Sequence, residues 1–342
     1  MAKVLIIGAG NVGGELRVQL RSHGHEVVAQ VARSSLMTGG AGHVSVVPAF
    51  GSASDMLNAV APYAGSAEAV MLAIPNANKG ADELAYMQAF AKDGKHLVTS
   101  AKAAHAFRCK DVLALGQPVG RRATVGGGTD MLEVLRRRKL RPENVIVDAI
   151  VNGTLNSIWS RIQQGGSIAA AVREAQRLGY AEPGSDDMIG IINGELEDVV
   201  MKAAIIYNVA LREASEETST PDDFRVVTIT HDDLMHLTGR NARYRFILRF
   251  SSIPHANEFG GFAPGSIEAQ AGRWTIKGGF VDVGSETPWF DWLRQVDGVN
   301  NGFNIYDPYG EDTGYALTGP GAGPVVTAKA MVRDLHDLLW PV

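Results

Sequence analysis

Residues 3–20, KVLIIGAGNVGGELRVQL, decide the fold. A run of β-branched and aliphatic residues from Lys3 to Ile7 stops at Gly8, and the apolar residues beyond it, Val12, Leu16, Val18 and Leu20, recur at helical intervals. The stretch therefore reads as a strand, a glycine turn and a helix. Gly8, Gly10 and Gly13 sit in it with the spacing G-x-G-x-x-G. Gly8 allows the tight turn, Gly10 lets the backbone come close to a pyrophosphate, and Gly13 lets the helix lie close to its strand. The N-terminus of the helix, with Asn11 and Val12 in its first turn, then faces the phosphates of a bound dinucleotide.

Outward from that motif, residues 26–31, 69–74, 96–99 and 124–125 read as further strands, separated by helical segments over about 130 residues. Strands alternating with helices indicate a parallel sheet with crossover helices, so the fold class is α/β: a Rossmann doubly wound parallel sheet over residues 1–135. A carboxylate at the end of the second strand would bind the ribose 2′-hydroxyl of NAD, but the chain reads Val31-Ala32-Arg33-Ser34-Ser35 there. Arg33 suits a 2′-phosphate, with Ser34 and Ser35 as added donors, which predicts NADP as the cofactor with NAD possible. From Asn144 the texture changes to a strand over 145–151, helices around Ile158, Val172 and Val199, and a region rich in glycine and aromatic residues from Tyr244. This predicts a mixed α+β substrate and dimerisation domain over 136–317. The last helix, 327–340, has Ala328, Met331, Val332, Leu335 and Leu339 on one face, and residues 318–342 are expected to complete the first domain.

Composition narrows the function. The 342 residues carry a net charge of −5, and the basic cluster Arg136, Arg137, Arg138 and Lys139 reads as a solvated helix end, so neither nucleic acid nor an anionic membrane is an expected partner. Cys109 is the single cysteine and the nine histidines lack ligand spacing, so neither a disulfide framework nor a metal is expected. A strand begins almost at Met1, leaving no room for a signal peptide, and no apolar run reaches the roughly 18 residues of a membrane span; a cytoplasmic protein is expected.

Several polar segments carry the chemistry. Residues 98–104, VTSAKAA, follow a strand at the ligand-binding edge of the sheet and aim Lys102 at the cleft. Residues 152–156, NGTLN, form a turn and a helix start, and residues 179–183, GYAEP, form a glycine-led turn. Asp198 and Lys202, four apart on a helix, share a face; such pairs are ordinarily surface ion pairs. Residues 318–323, TGPGAG, make a second glycine-rich helix entry, with Gly321 able to lie against a cofactor.

In order and spacing these segments resemble homoserine dehydrogenase, with counterparts of its VTANK, NGTTNY, GYAE, Asp-x-x-x-Lys and GPGAG segments over nearly the whole chain. The resemblance is to the form without a regulatory domain or a fused aspartokinase. It implies NADPH-dependent interconversion of L-aspartate 4-semialdehyde and L-homoserine by a homodimer. Lys202 would donate the proton to the reacting oxygen as hydride reaches the carbonyl carbon, and Lys102 would stabilise the developing alkoxide beside the cofactor. Thr154, Tyr180, Glu182, Asp187 and Asp198 would line the amino-acid pocket.

The chain departs from the family pattern in several places. Residues 191–197 read as an insertion of about six residues that would reshape the pocket wall. Ala101, Ser157 and Asp130 stand where the pattern has asparagine, tyrosine and proline. Arg122 stands where the family has a cation-binding glutamate, and the guanidinium is expected to replace the structural charge of the metal. These departures leave open a relative acting on another amino-acid-derived aldehyde or hydroxy acid, or a non-catalytic dinucleotide sensor.

Overall fold

The computed structural model describes residues 1–38, 43–46, 50–138, 140, 144–181, 184–238, 243–253, 265–284, 291–307 and 314–341. The chain divides into two compact units, Met1–Thr124 with Gly323–Val342, and Val125–Ala322.

In the first unit the order is β1 (Lys3–Ile7), α1 (Asn11–Ser22), β2 (Glu26–Ala32), β3 (Ser35–Thr38), β4 (His43–Val46), α2 (Ala53–Ala64), β5 (Ala69–Leu72), α3 (Ala81–Lys92), β6 (His96–Thr99), α4 (Ala103–Phe107), α5 (Cys109–Leu113) and β7 (Val119–Gly120). The sheet runs β4-β3-β2-β1-β5-β6-β7. Strands β2, β1, β5, β6 and β7 are parallel, the doubly wound arrangement expected, and its strands are apolar at successive positions because both faces are covered. Alternate residues serve opposite faces. Leu5, Ile7, Val70 and Leu72 meet Val60 of α2 and Met87 and Phe90 of α3. Val4, Ile6, Met71 and Val98 meet Leu16 and Leu20 of α1 and Ala328, Met331, Val332 and Leu335 of the last helix, α12 (Pro324–Leu339). The C-terminal helix thus packs on the first sheet, as its apolar stripe requires.

Two details differ from the sequence reading. The chain turns back after β2, so β3 and β4 form an antiparallel extension of the sheet edge, with Ala32 opposite Ser35. The final parallel strand is β7, paired through Leu97 and Val119, whereas Thr124 closes a short 3-10 turn, Arg122–Thr124. Two residues of ladder leave no periodicity to read. Arg122 is buried, its guanidinium bonded to Asp334 and Asp337 of α12 at 2.6 Å each and its amide to Asp334 at 2.8 Å. Its charge holds α12 in place.

The second unit contains α6 (Met131–Arg138), β8 (Ile146–Ile150), α7 (Gly153–Gln163), α8 (Ile168–Arg177), α9 (Met188–Ile206), β9 (Arg225–Val226), α10 (His231–Leu237), β10 (Tyr244–Ser251), β11 (Ile267–Ala271), β12 (Trp274–Asp282), α11 (Asp291–Gln295), β13 (Asn300–Tyr306) and β14 (Tyr315–Pro320). Its sheet, β14-β13-β8-β10-β12-β11-β9, is antiparallel at each pairing. Trp159 of α7 packs on Phe280 with ring centres 4.4 Å apart, and Phe246 meets the same ring edge-on at 5.1 Å. A buried ion pair crosses the sheet: Arg249 clasps Asp148 through two nitrogens, and Tyr306 donates to the same carboxylate at 2.9 Å.

The first unit also contains a buried group that makes stability depend on pH. His105 of α4 is fully buried, neither ring nitrogen makes a hydrogen bond among the described residues, and desolvation with repulsion from Arg121 pushes its pKa from 6.5 down to about 3. Because the folded value lies below the unfolded one, the contribution is complete above about pH 6.5 and is lost as pH falls toward 3, by about 1.4 kcal/mol per pH unit. Desolvation also lowers His25 and His336, with the same sign. Chemical-denaturation midpoints are therefore expected to fall from pH 7 to pH 5, and His105→Leu should flatten that slope. An unchanged slope in the variant would contradict the assignment.

Candidate active site

In the first unit the glycine turn leaves no room for a side chain at two of its three glycines. Gly8 has φ +114°, and a Cβ there would lie 2.0 Å from the carbonyl oxygen of Ala73; one on Gly13 would lie 2.2 Å from the carbonyl oxygen of Gly8. Among the described residues a Cβ on Gly10 would meet nothing within 4 Å. Among the described residues no side chain caps α1, so its first-turn amides around Asn11 and Val12 are available to an anion. This cradle fits a dinucleotide pyrophosphate. Sequence reasoning missed Gln30, a buried residue of β2 whose Nε2 donates to the carbonyls of Gly8 and Gly13 at 2.9 Å and fixes the loop from beneath. Its signal was a polar side chain inside the apolar strand VVAQVA.

Arg33 and Ser34 form the tip of the β2–β3 turn, both exposed, and Arg33 is held through its carbonyl by the amide of Phe50 at 2.7 Å. Ser35 is the first residue of β3 and is half-buried. The turn thus carries a cation and a hydroxyl at the C-terminal end of β2.

Lys102 stands immediately before α4, its amide donating to Oδ1 of Asn76 at 2.7 Å. The turn that carries it is tied down by Glu83 of α3, whose carboxylate accepts from the Thr99 hydroxyl at 2.7 Å and the Ala104 amide at 2.8 Å. Burial raises the pKa of Glu83, opposed by those two donors and by the charge of Lys102. Gly80 lies just beneath, with φ +76° and space so tight that a Cβ would come 2.4 Å from the Ala104 nitrogen.

The second unit gathers a polar cluster around Lys202. Its Nζ lies 2.6 Å from Oδ2 of Asp198 and donates at 2.6 Å to the carbonyl of Val151, which also accepts from Asn301 at 3.0 Å. The side chains are 11% and 22% exposed, so this is not a solvated surface pair. Asn152, two residues beyond β8, caps α7 by accepting from the Leu155 amide at 2.8 Å. Its Nδ2 donates to Glu195 at 2.6 Å and Asp198 at 3.1 Å. Glu195, Asp198 and Lys202 follow at helical spacing on one side of α9. A Cβ on Gly321 would collide with Asn301, so the GPGAG segment lies directly against this cluster.

The remaining candidates fall in three places. Thr154 donates its hydroxyl to the Tyr180 carbonyl at 2.8 Å, so these two are brought together. Asp187 is the N-cap of α9, accepting from the Gly190 amide at 2.9 Å, which occupies one oxygen of its carboxylate. Glu182 lies outside the described residues. Residues 191–197, read as an insertion in a pocket wall, are continuous turns of α9, and they supply Glu195. Asn152, Glu195 and Asn301 were missed because their partners come from distant stretches of chain.

The family model described as homoserine dehydrogenase matches residues 132–336. Among curated proteins, the chain is 28% identical to the homoserine dehydrogenase of Sulfurisphaera tokodaii, with 76% of this chain and 73% of that protein covered. It is 28% identical to the bifunctional aspartokinase/homoserine dehydrogenase of Buchnera aphidicola over 72% of this chain, which spans only 30% of that longer protein. Among solved structures, homoserine dehydrogenase from Thermoplasma acidophilum superimposes with a TM-score of 0.70 at 20% identity, covering 100% of this chain and 99% of that one.

Proposed function

The chain belongs to the homoserine dehydrogenase family, and from that premise we propose that it interconverts L-homoserine and L-aspartate 4-semialdehyde, using NADP in preference to NAD. The observation that carries this reading is the partly buried Asp198–Lys202 pair beside Asn152 and Val151, a lysine held for chemistry rather than for solubility.

When bound, the nicotinamide supplies or accepts the hydride. Lys202 moves the proton. Two of its ammonium hydrogens are directed to Asp198 and Val151, and the third is offered to the carbonyl oxygen of the semialdehyde as charge develops there. Asp198 sets the lysine in place and Asn152 sets Asp198. Thr154, Tyr180, Glu182 and Asp187 are proposed to line the pocket for the amino-acid end of the substrate. Lys102 contributes its charge from the cofactor side, on a turn braced by Glu83. The backbone at Gly8, Gly10, Asn11, Val12 and Gly13 holds the pyrophosphate, and Arg33 with Ser34 and Ser35 holds the 2′-phosphate. We further propose a cytoplasmic homodimer; among the described residues no helix is long and apolar enough to cross a membrane.

The test is NADPH oxidation with L-aspartate 4-semialdehyde, with the product identified by chromatography. L-Homoserine is the expected product. Oxidation of NADPH with other aldehydes but not with this one would overturn the substrate. In the same assay Arg33→Ala is expected to raise KM for NADPH roughly 10- to 100-fold, the worth of one charge-assisted contact, with little change for NADH. Equal loss with both cofactors would contradict the role of Arg33.

A further inference from the structure

Helix α9 brings a second carboxylate to the Lys202 cluster, and the proposed reaction gives it no part. Glu195 lies one turn before Asp198, and both carboxylates reach the same side chain, Asn152. The amide of Asn152 has two hydrogens to give. Its Nδ2 donates to Oε2 of Glu195 at 2.6 Å and to Oδ2 of Asp198 at 3.1 Å, and that same oxygen of Asp198 lies 2.6 Å from Nζ of Lys202.

The Asn152 amide cannot turn over to leave this arrangement. Its Oδ1 accepts from the Leu155 amide at 2.8 Å and caps α7, so the end presented to α9 is the donor end. Asn152 is buried, and an enclosed amide takes its orientation from its hydrogen-bond partners rather than from water. Of its two carboxylate bonds the shorter goes to Glu195, which is therefore the firmer hold.

Val151, the residue before Asn152, completes the connection. Its carbonyl accepts from Lys202 at 2.6 Å, so two consecutive residues hold the pair: Val151 holds the lysine and Asn152 holds the aspartate. A shift of Asn152 moves both contacts. Such a shift is what the bond to Glu195 opposes.

We propose that Glu195 is a positioning residue for the proton transfer assigned to Lys202: it fixes the Asn152 amide, Asn152 fixes Asp198, and Asp198 with Val151 aims the lysine. This rests on the reading of Lys202 as the proton donor. No proton passes through Glu195, because the Asn152 nitrogen between the two carboxylates donates to both and accepts from neither.

The experiment is a double-mutant cycle on the full chain, read as kcat and KM for L-homoserine and NADP. Glu195→Ala is expected to lower kcat about 10- to 100-fold, the effect of a misplaced reacting group, with both KM values within about twofold of the wild type. Glu195→Gln, whose amide oxygen still accepts from Asn152, should restore kcat to within about threefold. Asn152→Ser keeps a cap on α7 but has no amide to link the carboxylates, so Glu195→Ala should cost nothing further in that background. A lowered melting temperature with unaltered kcat in Glu195→Ala would make the residue merely structural. Losses that multiply in the double variant would make it independent of Asn152. Either result, or a Glu195→Gln variant as slow as Glu195→Ala, would overturn the proposal. Lys202→Ala, measured alongside, separates the two levels of the argument: slow turnover there with normal turnover in Glu195→Ala overturns the positioning role alone, whereas normal turnover in Lys202→Ala, or none in the wild type, overturns both.

Discussion

Replacing Lys202 by alanine is expected to lower kcat by about 10²- to 10⁴-fold while leaving NADPH affinity unchanged. The size follows from the part assigned to this side chain, the single proton donor of the Asp198–Lys202 cluster. Cofactor affinity should survive because the glycine turn and Arg33 belong to the other unit. The variant should also fold: Asn152 still donates to Asp198 at 3.1 Å and still caps α7. Lys202→Arg is not expected to rescue turnover, since the planar guanidinium cannot reproduce a compact donor aimed at three points. Steady-state kinetics with fluorescence titration of NADPH separates the two effects. Normal turnover in Lys202→Ala would remove this residue from the mechanism.

The second large effect comes from a pair of glycines two residues apart. Gly8→Ala places a methyl group 2.0 Å from the Ala73 carbonyl at φ +114°, so the turn cannot form without backbone movement, at a cost of about 3 kcal/mol or more. Gly10→Ala meets nothing within 4 Å among the described residues, and its fold should be intact. Its methyl group instead occupies the space assigned to the pyrophosphate. The expected outcome is a lowered melting temperature with Gly8→Ala, and a normal one with strongly weakened NADPH binding for Gly10→Ala. Gly10→Ala binding NADPH normally would show that the cofactor does not approach that backbone.

The glycine turn was legible in the sequence because its logic is local: three missing side chains, a strand before them and a helix after them. The stripe of α12 was legible for a similar reason, as a face of Ala328, Met331, Val332 and Leu335 can only be buried. Strand β7 was not, since two paired residues carry no periodicity, and Arg33-Ser34 read as a strand end because nothing in RSSLMT distinguishes a loop from a hairpin. Residues 191–197 read as an insertion in a pocket wall, but they are turns of α9. The helix forms through them because Asp187 caps it and Ile192, Leu196 and Val199 are buried along it. The supports of the site, Gln30, Glu83, Asn152, Glu195 and Asn301, escaped for a different reason. Each acts on a partner distant in the chain, as Glu83 does on Ala104, and only the fold makes such pairs neighbours.

The most direct test of the central claim is reduction of NADP by the purified protein with L-homoserine at mildly alkaline pH, in parallel with NAD. The account predicts turnover that depends on homoserine, is faster with NADP and is abolished by Lys202→Ala. Demonstrated NADPH binding without any homoserine-dependent reduction would contradict it and would assign the pocket around Lys202 to another substrate.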